Sequence, residues 1–288
     1  MQRILVVGCG YVGAPLAASL AAEGRQVWGL RRSPGPLPEG VAPLPGDVTR
    51  PESLHTVPPH LDGVVFCASR GGAGSGQSHE AVFVEGQRNV VEAIRRSSRD
   101  LRRYLFVSST GVYGDRQGGW VTETTPAEPG TETGRCMLTA ESVARTAPGS
   151  IAILRFAGIY GPDRSRLVRG VSDGSLRLPA DGGDWLNQIH RDDCVGAIRH
   201  LLLNELPEPL YLGCDEQPAR RGEVLAWLAE KMGVVLAREA PDAPVASRRR
   251  ARGEKRVDSQ RLRASGYTFR YPTYRQGYAQ VLASGEGA

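Results

Sequence analysis

The amino-acid sequence predicts an α/β fold, a doubly wound parallel sheet followed by a smaller C-terminal lobe. Three observations lead to this prediction. The chain opens with a short apolar run, residues 3–7, and glycines at the spacing Gly-x-Gly-x-x-Gly follow at once. Apolar runs of strand length then alternate with segments of helical spacing as far as Phe156. After Gly161 and Pro162 the alternation becomes irregular. Regular alternation of this kind is typical of βαβ units, whose parallel strands are buried on both faces.

The first strand, turn and helix predict a dinucleotide site. Arg3–Val7 has the composition of a buried strand, and the Ala- and Leu-rich segment Ala14–Ala22 that of a helix. Between them lie Gly8, Gly10 and Gly13. The first glycine permits the tight turn, the second lets a pyrophosphate approach the backbone, and the third lets the helix pack on the strand. The helix N-terminus offers N–H groups and a positive dipole end to phosphates. A merely structural turn is the less favoured alternative.

The second strand indicates which dinucleotide is bound. Gln26–Leu30 is the predicted strand, and it ends in Arg31 and Arg32. At this position an acidic residue holds the ribose 2′-hydroxyl of NAD, whereas arginine accommodates the 2′-phosphate of NADP. The arginine pair therefore favours NADP, with NAD as the second choice. A solvated pair of arginines at a strand end is the alternative.

The rest of the sheet is assigned by apolar runs and its helices by periodicity. The glycine-rich segment Arg70–Gln77 is either a mobile loop over the site or a linker. The predicted strands are the third at Gly46–Thr49, the fourth at Asp62–Ser69, the fifth at Arg103–Ser109 and the sixth at Ser150–Phe156, and the predicted helices are Ala81–Ser97 and Thr133–Thr146.

The C-terminal portion predicts a small lobe without a large core of its own. Residues 164–184 show little periodicity, and residues 246–256 are a basic run. We expect a dinucleotide-binding domain over 1–163 and a smaller mixed substrate lobe over 164–288, interleaved with the sheet, at the open end where substrate pockets usually lie. Its predicted elements are the helix Arg191–Asn204, opened by Asp192 and Asp193, the strand Leu210–Leu212 and the helix Gly222–Met232.

Composition excludes several other functions. The chain has 288 residues, 40% of them hydrophobic, and a formal net charge of +5. Its basic residues are almost all arginine, with lysine only at Lys231 and Lys255, which indicates codon bias, so no nucleic-acid partner is expected. The five cysteines form no Cys-x-x-Cys, so reduced thiols are expected, with no disulfide and no metal site. No segment approaches the length needed to cross a bilayer, and we expect a cytoplasmic protein.

Several further segments resemble one family. Residues 106–114 (Phe-Val-Ser-Ser-Thr-Gly-Val-Tyr-Gly), residues 154–162 (Leu-Arg-Phe-Ala-Gly-Ile-Tyr-Gly-Pro) and residues 189–193 (Ile-His-Arg-Asp-Asp) follow the glycine turn and Asp47 in this order. Residues 86–89 (Gly-Gln-Arg-Asn) stand where that family has Gly-Thr-x-Asn. The chain resembles the extended short-chain dehydrogenase/reductases, the NAD-dependent epimerase/dehydratases. The resemblance implies a Rossmann-type fold and a cofactor site formed by the three glycines and the arginine pair together with Tyr11, Val12, Asp47, Val48, Ala68, Ser69 and Ser108.

The resemblance fails at the catalytic helix. The family uses a Ser or Thr after the fifth strand, which Ser109 matches, and a Tyr-x-x-x-Lys pair on the next helix. There the tyrosine exchanges the substrate proton, and the lysine lowers its pKa and holds the nicotinamide ribose. In this chain Thr133 stands for the tyrosine and Met137 for the lysine, and no Tyr-x-x-x-Lys occurs elsewhere. This departure resembles an atypical branch of bacterial proteins that retain the fold and the cofactor site.

Three hypotheses follow. The first is an NADP-dependent oxidoreductase or epimerase that acts on a small polar or sugar-like substrate. Acid/base catalysis would then be carried out by Ser109, Tyr113, Tyr160 and Arg135. The alternative is that the two tyrosines are packing residues and the arginine is a surface residue. The second is a dinucleotide-binding regulator or scaffold without hydride chemistry. The third is a phosphate-bearing ligand held by the basic residues Arg248–Arg250, Arg252, Lys255 and Arg256. By analogy alone, the helices at 81–97 and 133–146 would pack a homodimer.

Overall fold

The structure is a computed structural model that describes residues 1–32, 35–71, 76–205, 208–240 and 254–285. It divides into two compact units, each built from three segments of chain. Unit 1 comprises 1–112, 132–155 and 195–211, and unit 2 comprises 113–131, 156–194 and 212–288. The division differs from a single boundary at residue 163, because segments from both sides of that residue enter both units.

Within the described residues, nearly all of a seven-stranded parallel sheet belongs to unit 1, and only Phe156 and residues 212–213 of its strands belong to unit 2. In spatial order its strands are β11 (Leu210–Gly213), β7 (Ser150–Phe156), β5 (Arg103–Ser109), β4 (Gly63–Phe66), β1 (Arg3–Val7), β2 (Gln26–Arg31) and β3 (Val41–Pro45). The chain runs outward from β1 to β3 and then returns to β4 on the other side of β1, so the topological switch point lies between β1 and β4. This is the predicted doubly wound fold.

The helices of unit 1 bury one face and expose the other. In the second helix Val90, Val91 and Ile94 are buried, while the outward-facing Arg88 and Arg95 pair with glutamates three residues earlier. The described α-helices are α1 (Gly13–Ala22), α2 (Gly86–Ser97), α3 (Glu132–Ala144) and α5 (Arg191–Leu203), of which α5 belongs to unit 1 only from Val195 onward. A wide π-helical turn lies at Ala81–Glu85, and 3₁₀ turns lie at Pro51–Leu54 and Thr110–Val112.

The third strand was predicted in the wrong place. The structure has β3 at Val41–Pro45, and Gly46–Thr49 forms the turn after it. Two prolines hide this strand from sequence patterning. They are tolerated because β3 is the edge of the sheet, where a missing N–H leaves no ladder bond unmade. The fourth strand is also shorter than predicted, ending at Phe66.

The described residues of unit 2 form three short strand pairs and a hydrophobic cluster of their own. The pairs are β6 (Trp120–Val121) with β13 (Arg256–Val257), β8 (Gly158–Tyr160) with β10 (Gln188–His190), and β9 (Trp185–Leu186) with β12 (Ala219–Arg220). Its helices are α4 (Arg166–Ser172), α6 (Arg221–Met232), α7 (Gln260–Ala264) and α8 (Tyr274–Ala283). The cluster packs Val168 and Val171 with Leu225, Leu228 and Tyr278, so this part of the chain has a core that the sequence analysis did not expect.

Three of the described helices of unit 2 escaped prediction, namely α4, α7 and α8. Helix α4 lies in the segment 164–184, where Val168 and Val171 are buried between arginines. Helix α8 begins after Thr273 with a capping box, in which Gln276 Oε1 accepts the Thr273 N–H at 3.1 Å. The spacing Thr-x-x-Gln was a usable indication of that helix start.

Some predicted features lie outside the described residues, namely residues 72–75 of the glycine-rich loop and the arginines of the basic run at 246–253. Among the described helices, none combines the length and apolarity of a membrane span. All five cysteines are free. In the same described ranges, no group of His, Cys, Asp and Glu side chains could hold a metal ion.

Candidate functional site

The glycine turn lies at the switch point between β1 and β4. Gly8 follows β1 with φ +98°, a left-handed conformation that favours glycine. A Cβ atom there would lie 2.4 Å from the Cα of Ala68, which follows β4. A Cβ atom at Gly13 would lie 2.1 Å from the Gly8 carbonyl oxygen. These two glycines are therefore required by the fold itself.

Gly10 is different, because a Cβ atom there would meet nothing within 4 Å. It is exposed and lies in the turn that precedes α1, whose first turn contains no acidic residue. The packing of the fold therefore does not require glycine here, whereas a close-lying pyrophosphate does. Tyr11 and Val12 complete the turn, and both are partly exposed. The turn fits the diphosphate of a dinucleotide.

The predicted adenosine end of the site is basic. Arg31 ends β2, and its Nη1 donates to the carbonyl oxygen of Pro36 at 3.3 Å. Arg32 is exposed, and its charge contributes to lowering the pKa of Asp47. Both arginines thus lie at the carboxyl end of β2 and make that end of the strand basic.

Asp47 and Val48 form the turn after β3. Burial opposes ionisation of Asp47, but hydrogen bonds from Thr49 and Gln77 outweigh it and lower the pKa of the carboxyl. Thr49 donates through its N–H at 3.0 Å, and Gln77 Nε2 lies 3.2 Å from the second oxygen. Asp47 therefore stays ionised and holds the turn in shape.

The Gly-x-x-Asn segment on α2 positions Val48. Asn89 Nδ2 donates to the Val48 carbonyl oxygen at 2.9 Å. A Cβ atom at Gly86 would lie 2.6 Å from Val48 Cγ2, so glycine lets the helix approach the turn. Of the other predicted cofactor residues, Ala68 is partly exposed and Ser69 is exposed after β4.

Two serines end β5, and they have different partners. Ser108 is buried, and its hydroxyl donates to Glu141 Oε1 at 2.6 Å. Ser109 is partly exposed, and its Oγ accepts the Gly111 N–H at 3.0 Å. The Ser108 side chain is therefore committed to the protein interior, and Ser109 presents the more accessible hydroxyl.

Glu141 on α3 is the centre of a buried ion pair that the sequence analysis missed. Its two carboxylate oxygens accept from Arg155 Nε at 2.8 Å and Nη2 at 2.7 Å. Both side chains are almost fully buried. The pair fixes α3 against the end of β7 and holds Ser108 at the end of β5. One indication was available in the sequence, since Arg155 falls inside the family segment at residues 154–162.

Helix α3 presents the residues that replace the usual catalytic pair. Thr133 and Arg135 are exposed in its first turns. Met137, one turn after Thr133, is 5% exposed and belongs to the core. A thioether cannot donate a proton or carry a charge, and an aliphatic hydroxyl is a poor acid. The helix therefore supplies neither function of a tyrosine–lysine pair at these positions.

The two candidate tyrosines belong to unit 2 and are both buried. Tyr113 donates its hydroxyl to the carbonyl oxygen of Thr122 at 2.9 Å. Tyr160 stacks on Tyr278 with ring centroids 4.3 Å apart, and its hydroxyl has no hydrogen-bond partner among the described residues. Burial, followed by the neighbouring Tyr278, raises the pKa of Tyr160. Tyr160 is thus poorly suited to proton exchange in this conformation.

The His190 ring packs edge-on against Tyr160, with ring centroids 5.4 Å apart, and its hydrogen bonds indicate the neutral form. Its Nδ1 accepts the Asp192 N–H at 3.2 Å, so Nε2 carries the proton that faces Gln280 Oε1 at 3.0 Å. Burial lowers the pKa of His190, although Asp192 acts in the opposite direction. The hydrogen bonds fix the ring tautomer and give His190 a structural position in unit 2.

Gly277 on α8 provides a test of the packing around Tyr160. A Cβ atom at Gly277 would lie 1.8 Å from the Tyr160 hydroxyl and 2.7 Å from its Cζ. We expect Gly277→Ala to lower the free energy of unfolding by about 2 kcal/mol, since overpacking typically costs 1–3 kcal/mol and exceeds the gain of about 1 kcal/mol in helix propensity. Chemical denaturation measures the change.

Tyr160→Phe is the matched partner of that variant. Removing an unpartnered buried hydroxyl should leave the free energy of unfolding unchanged or raise it. The double variant should be destabilised less than Gly277→Ala alone. Additive effects in this double-mutant cycle would contradict the contact between Gly277 and the hydroxyl.

Comparison with known proteins identifies relatives of the chain. The model of the NAD dependent epimerase/dehydratase family matches residues 4–212. The Escherichia coli K12 protein YeeZ is 30% identical over 247 residues, which cover 81% of this chain and 85% of YeeZ.

Solved structures agree with this result. A candidate NAD-dependent epimerase/dehydratase from Methylobacillus flagellatus is 36% identical, with 98% of each chain covered and a TM-score of 0.80. The human epimerase family protein SDR39U1 (isoform 2), solved with NADPH, is 20% identical, with 98% of this chain and 99% of that chain covered and a TM-score of 0.79. At that identity the human structure shows the shared fold alone.

Proposed function

Because the chain belongs to the NAD dependent epimerase/dehydratase family, we propose that it is an NADP-dependent oxidoreductase or epimerase acting on a small polar or sugar-like substrate. The glycine turn supports this most directly. Gly8 and Gly13 are packed against backbone, while Gly10 alone has open space above it. That pattern fits a bound pyrophosphate better than a turn that only connects a strand to a helix.

The NADP preference is supported by the end of β2. Arg31 and Arg32 supply two positive charges there, and residues 31 and 32 include no carboxylate that would hold a 2′-hydroxyl. The carboxylate of Asp47, whose pKa the charge of Arg32 helps to lower, is engaged by Thr49 and Gln77. A bound nicotinamide would supply or accept the hydride. The residues of the chain would hold the diphosphate, the ribose phosphate and the substrate.

The proposed acid/base set is non-standard. Of the four candidates, Ser109 best combines accessibility with a hydroxyl at the end of a central strand. We assign it the role of positioning the substrate oxygen. Tyr113 and Arg135 stay in the proposed set as a proton donor and a positive charge. Tyr160 is the weakest candidate, because burial raises its pKa and its ring stacks on Tyr278.

Nucleotide titration tests the cofactor assignment. We expect NADPH to bind more tightly than NADH, and Arg31→Ala with Arg32→Ala to remove that preference. Gly10→Ala should weaken NADPH binding at least about tenfold, or about 1.4 kcal/mol, because the methyl group occupies the space proposed for the pyrophosphate. Fluorescence titration gives the dissociation constants.

The matched control is thermal unfolding of the same Gly10→Ala variant. Since nothing lies within 4 Å of the added Cβ, its melting temperature without nucleotide should stay close to that of the parent protein. Unchanged NADPH affinity in a folded Gly10→Ala protein would refute the proposed cofactor position.

The second candidate function is a dinucleotide-binding regulator without hydride chemistry. The replacement of the catalytic pair by Thr133 and Met137 favours it. A substrate screen that follows NADPH oxidation separates the two. Turnover that falls in Ser109→Ala and Tyr113→Phe supports an enzyme, whereas tight NADPH binding with no turnover of any tested substrate supports the regulator.

We also propose a cellular location and an oligomeric state. A cytoplasmic location is supported by the five free cysteines. A homodimer through the helices at 81–97 and 133–146 rests on analogy with relatives, and sedimentation analysis would test it.

A further inference from the structure

Unit 2 contains a cleft of about 310 Å³ that the proposed function does not use. It lies beside the strand pair β6–β13 and the start of α7. Besides Val257, the lining side chains are one large aromatic residue and five polar residues: Trp120, Asp215, Glu216, Asp258, Ser259 and Arg263. All of them belong to unit 2, so the cleft is a feature of that unit alone.

The aromatic wall is an exposed indole. Trp120 is 53% exposed, although large apolar side chains are usually covered. Its neighbour across the strand pair is Arg256, whose guanidinium lies 4.9 Å from the ring centroid. Arg256 is itself held by a hydrogen bond to the Gly118 carbonyl oxygen at 2.7 Å. The indole is therefore supported from one side while much of its surface stays accessible.

A buried hydroxyl in the cleft lacks a partner. Ser259 is 2% exposed, and its Oγ makes no hydrogen bond within the described part of the chain. It precedes α7 without capping it, because the neighbouring Asp258 accepts the Gln260 N–H at 2.8 Å. Burying a hydroxyl without a partner costs free energy, and a ligand hydroxyl would recover it.

A second buried polar group lies close by. Asp215 is 2% exposed, and the only N–H hydrogen bond to its carboxylate within the described residues comes from Gln217 at 3.3 Å. Burial raises the pKa of this carboxyl. A carboxyl with a raised pKa can donate a hydrogen bond as well as accept one.

The remaining polar groups are loosely paired. Arg263 lies 3.7 Å from a Glu216 oxygen and 3.5 Å from an Asp258 oxygen, beyond normal hydrogen-bond length. The cleft thus offers both hydrogen-bond donors and acceptors. The carboxylates of Glu216 and Asp258 would repel an anion, and the Arg263 guanidinium beside them offsets part of their attraction for a cation. A neutral molecule with several hydroxyls can hydrogen-bond to both kinds of group.

We propose that this cleft binds a neutral polyhydroxylated ring, such as a single hexose, that stacks on Trp120 and exchanges hydrogen bonds with Ser259, Asp215 and Arg263. The inference goes beyond the proposed function, because the site is separate from the glycine turn in sequence and needs no nucleotide. An aromatic face provides the apolar contact for the C–H side of such a ring, and the polar wall recognises its hydroxyls.

Saturation-transfer NMR on the full chain without nucleotide tests the proposal, with D-glucose, D-galactose and myo-inositol as probes and tetramethylammonium as the cationic comparison. We expect transfer to at least one of the neutral probes and none to tetramethylammonium. Trp120→Ala should abolish the transfer. Ser259→Ala should weaken binding at least about fivefold, and it should fold normally because the hydroxyl it removes has no partner.

Trp28→Phe, in strand β2 of unit 1, is the control and should leave the transfer unchanged. Absence of transfer from all three neutral probes would overturn the proposal, as would transfer that persists in both cleft variants or binding of tetramethylammonium alone. NADPH titration of the same samples reports on the glycine turn separately, so failure of one proposal is distinguishable from failure of the other.

Discussion

Asp193→Asn is expected to lower the free energy of unfolding by about 3 kcal/mol, because a buried charge-assisted hydrogen bond contributes about 1.5–3 kcal/mol and this carboxylate accepts several. Asp193 is fully buried at the start of α5. One oxygen accepts the Tyr267 hydroxyl at 2.8 Å and the Arg270 N–H at 2.7 Å. The other accepts the Tyr271 N–H at 2.9 Å.

Asparagine nearly preserves the volume but places an NH₂ group against at least one of these donors. Two backbone N–H groups of the segment 267–271 depend on the carboxylate, so the loss should loosen that segment. Urea denaturation followed by circular dichroism measures the change in stability. Hydrogen exchange at Arg270 and Tyr271 should rise in parallel.

The neighbouring Asp192→Asn is the matched control. The Asp192 side chain is 27% exposed and pairs with Arg191 at 3.1 Å. Such partly solvated pairs contribute about 0–1 kcal/mol, so this variant should lose less than about 1 kcal/mol. Equal losses in the two variants would show that Asp193 does not anchor the segment.

Glu141→Ala should have a comparable effect in unit 1, a loss of about 3–5 kcal/mol, since it removes one partner of a buried ion pair. The Arg155 guanidinium would lose both of its bonds to the carboxylate, and Ser108 would lose its acceptor. The cost comes chiefly from leaving a buried charge without this partner. Thermal and chemical denaturation both measure it.

The control for Glu141→Ala is a double variant that removes both charges of the ion pair, because this change is expected to affect stability in the opposite direction. Glu141→Leu with Arg155→Met removes both charges, and exchanging a buried pair for apolar side chains is often neutral or stabilising. We expect the double variant to be clearly more stable than Glu141→Ala. If both proteins unfolded at the same denaturant concentration, the charge pair would not be the source of the loss.

Local patterning was sufficient for most of the sheet. The strands at 103–109 and 150–156 were predicted to the residue, because continuous β-branched and apolar runs have few alternatives. Patterning failed at β3, where prolines interrupt an edge strand, and at α4, where arginines separate two buried valines. The strand β3 and the helix α4 are stabilised by contacts with residues distant in sequence, which a short stretch of sequence does not contain.

The candidate site, like the fold, could be predicted from the sequence only in part. Gly8, Gly10 and Gly13 could be recognised from their spacing, since the structural role of each glycine is confined to one turn. That only Gly10 is free of packing contacts could not be predicted, because the neighbours of the other two include Ala68, distant in sequence. The unpartnered hydroxyl of Ser259 is also a property of the folded chain and has no counterpart in composition or spacing.

Each unit is built from three segments that are separated in the sequence, and this has a consequence for folding during protein synthesis. Unit 1 includes the segment 195–211, and Arg103 donates to the Leu201 carbonyl oxygen at 2.7 Å, near the end of α5. A nascent chain therefore cannot complete unit 1 until residue 211 has left the ribosome. A truncation at residue 163 would leave both units lacking segments, so neither half should be recoverable as a stable fragment, and mixing the halves would be a complementation experiment.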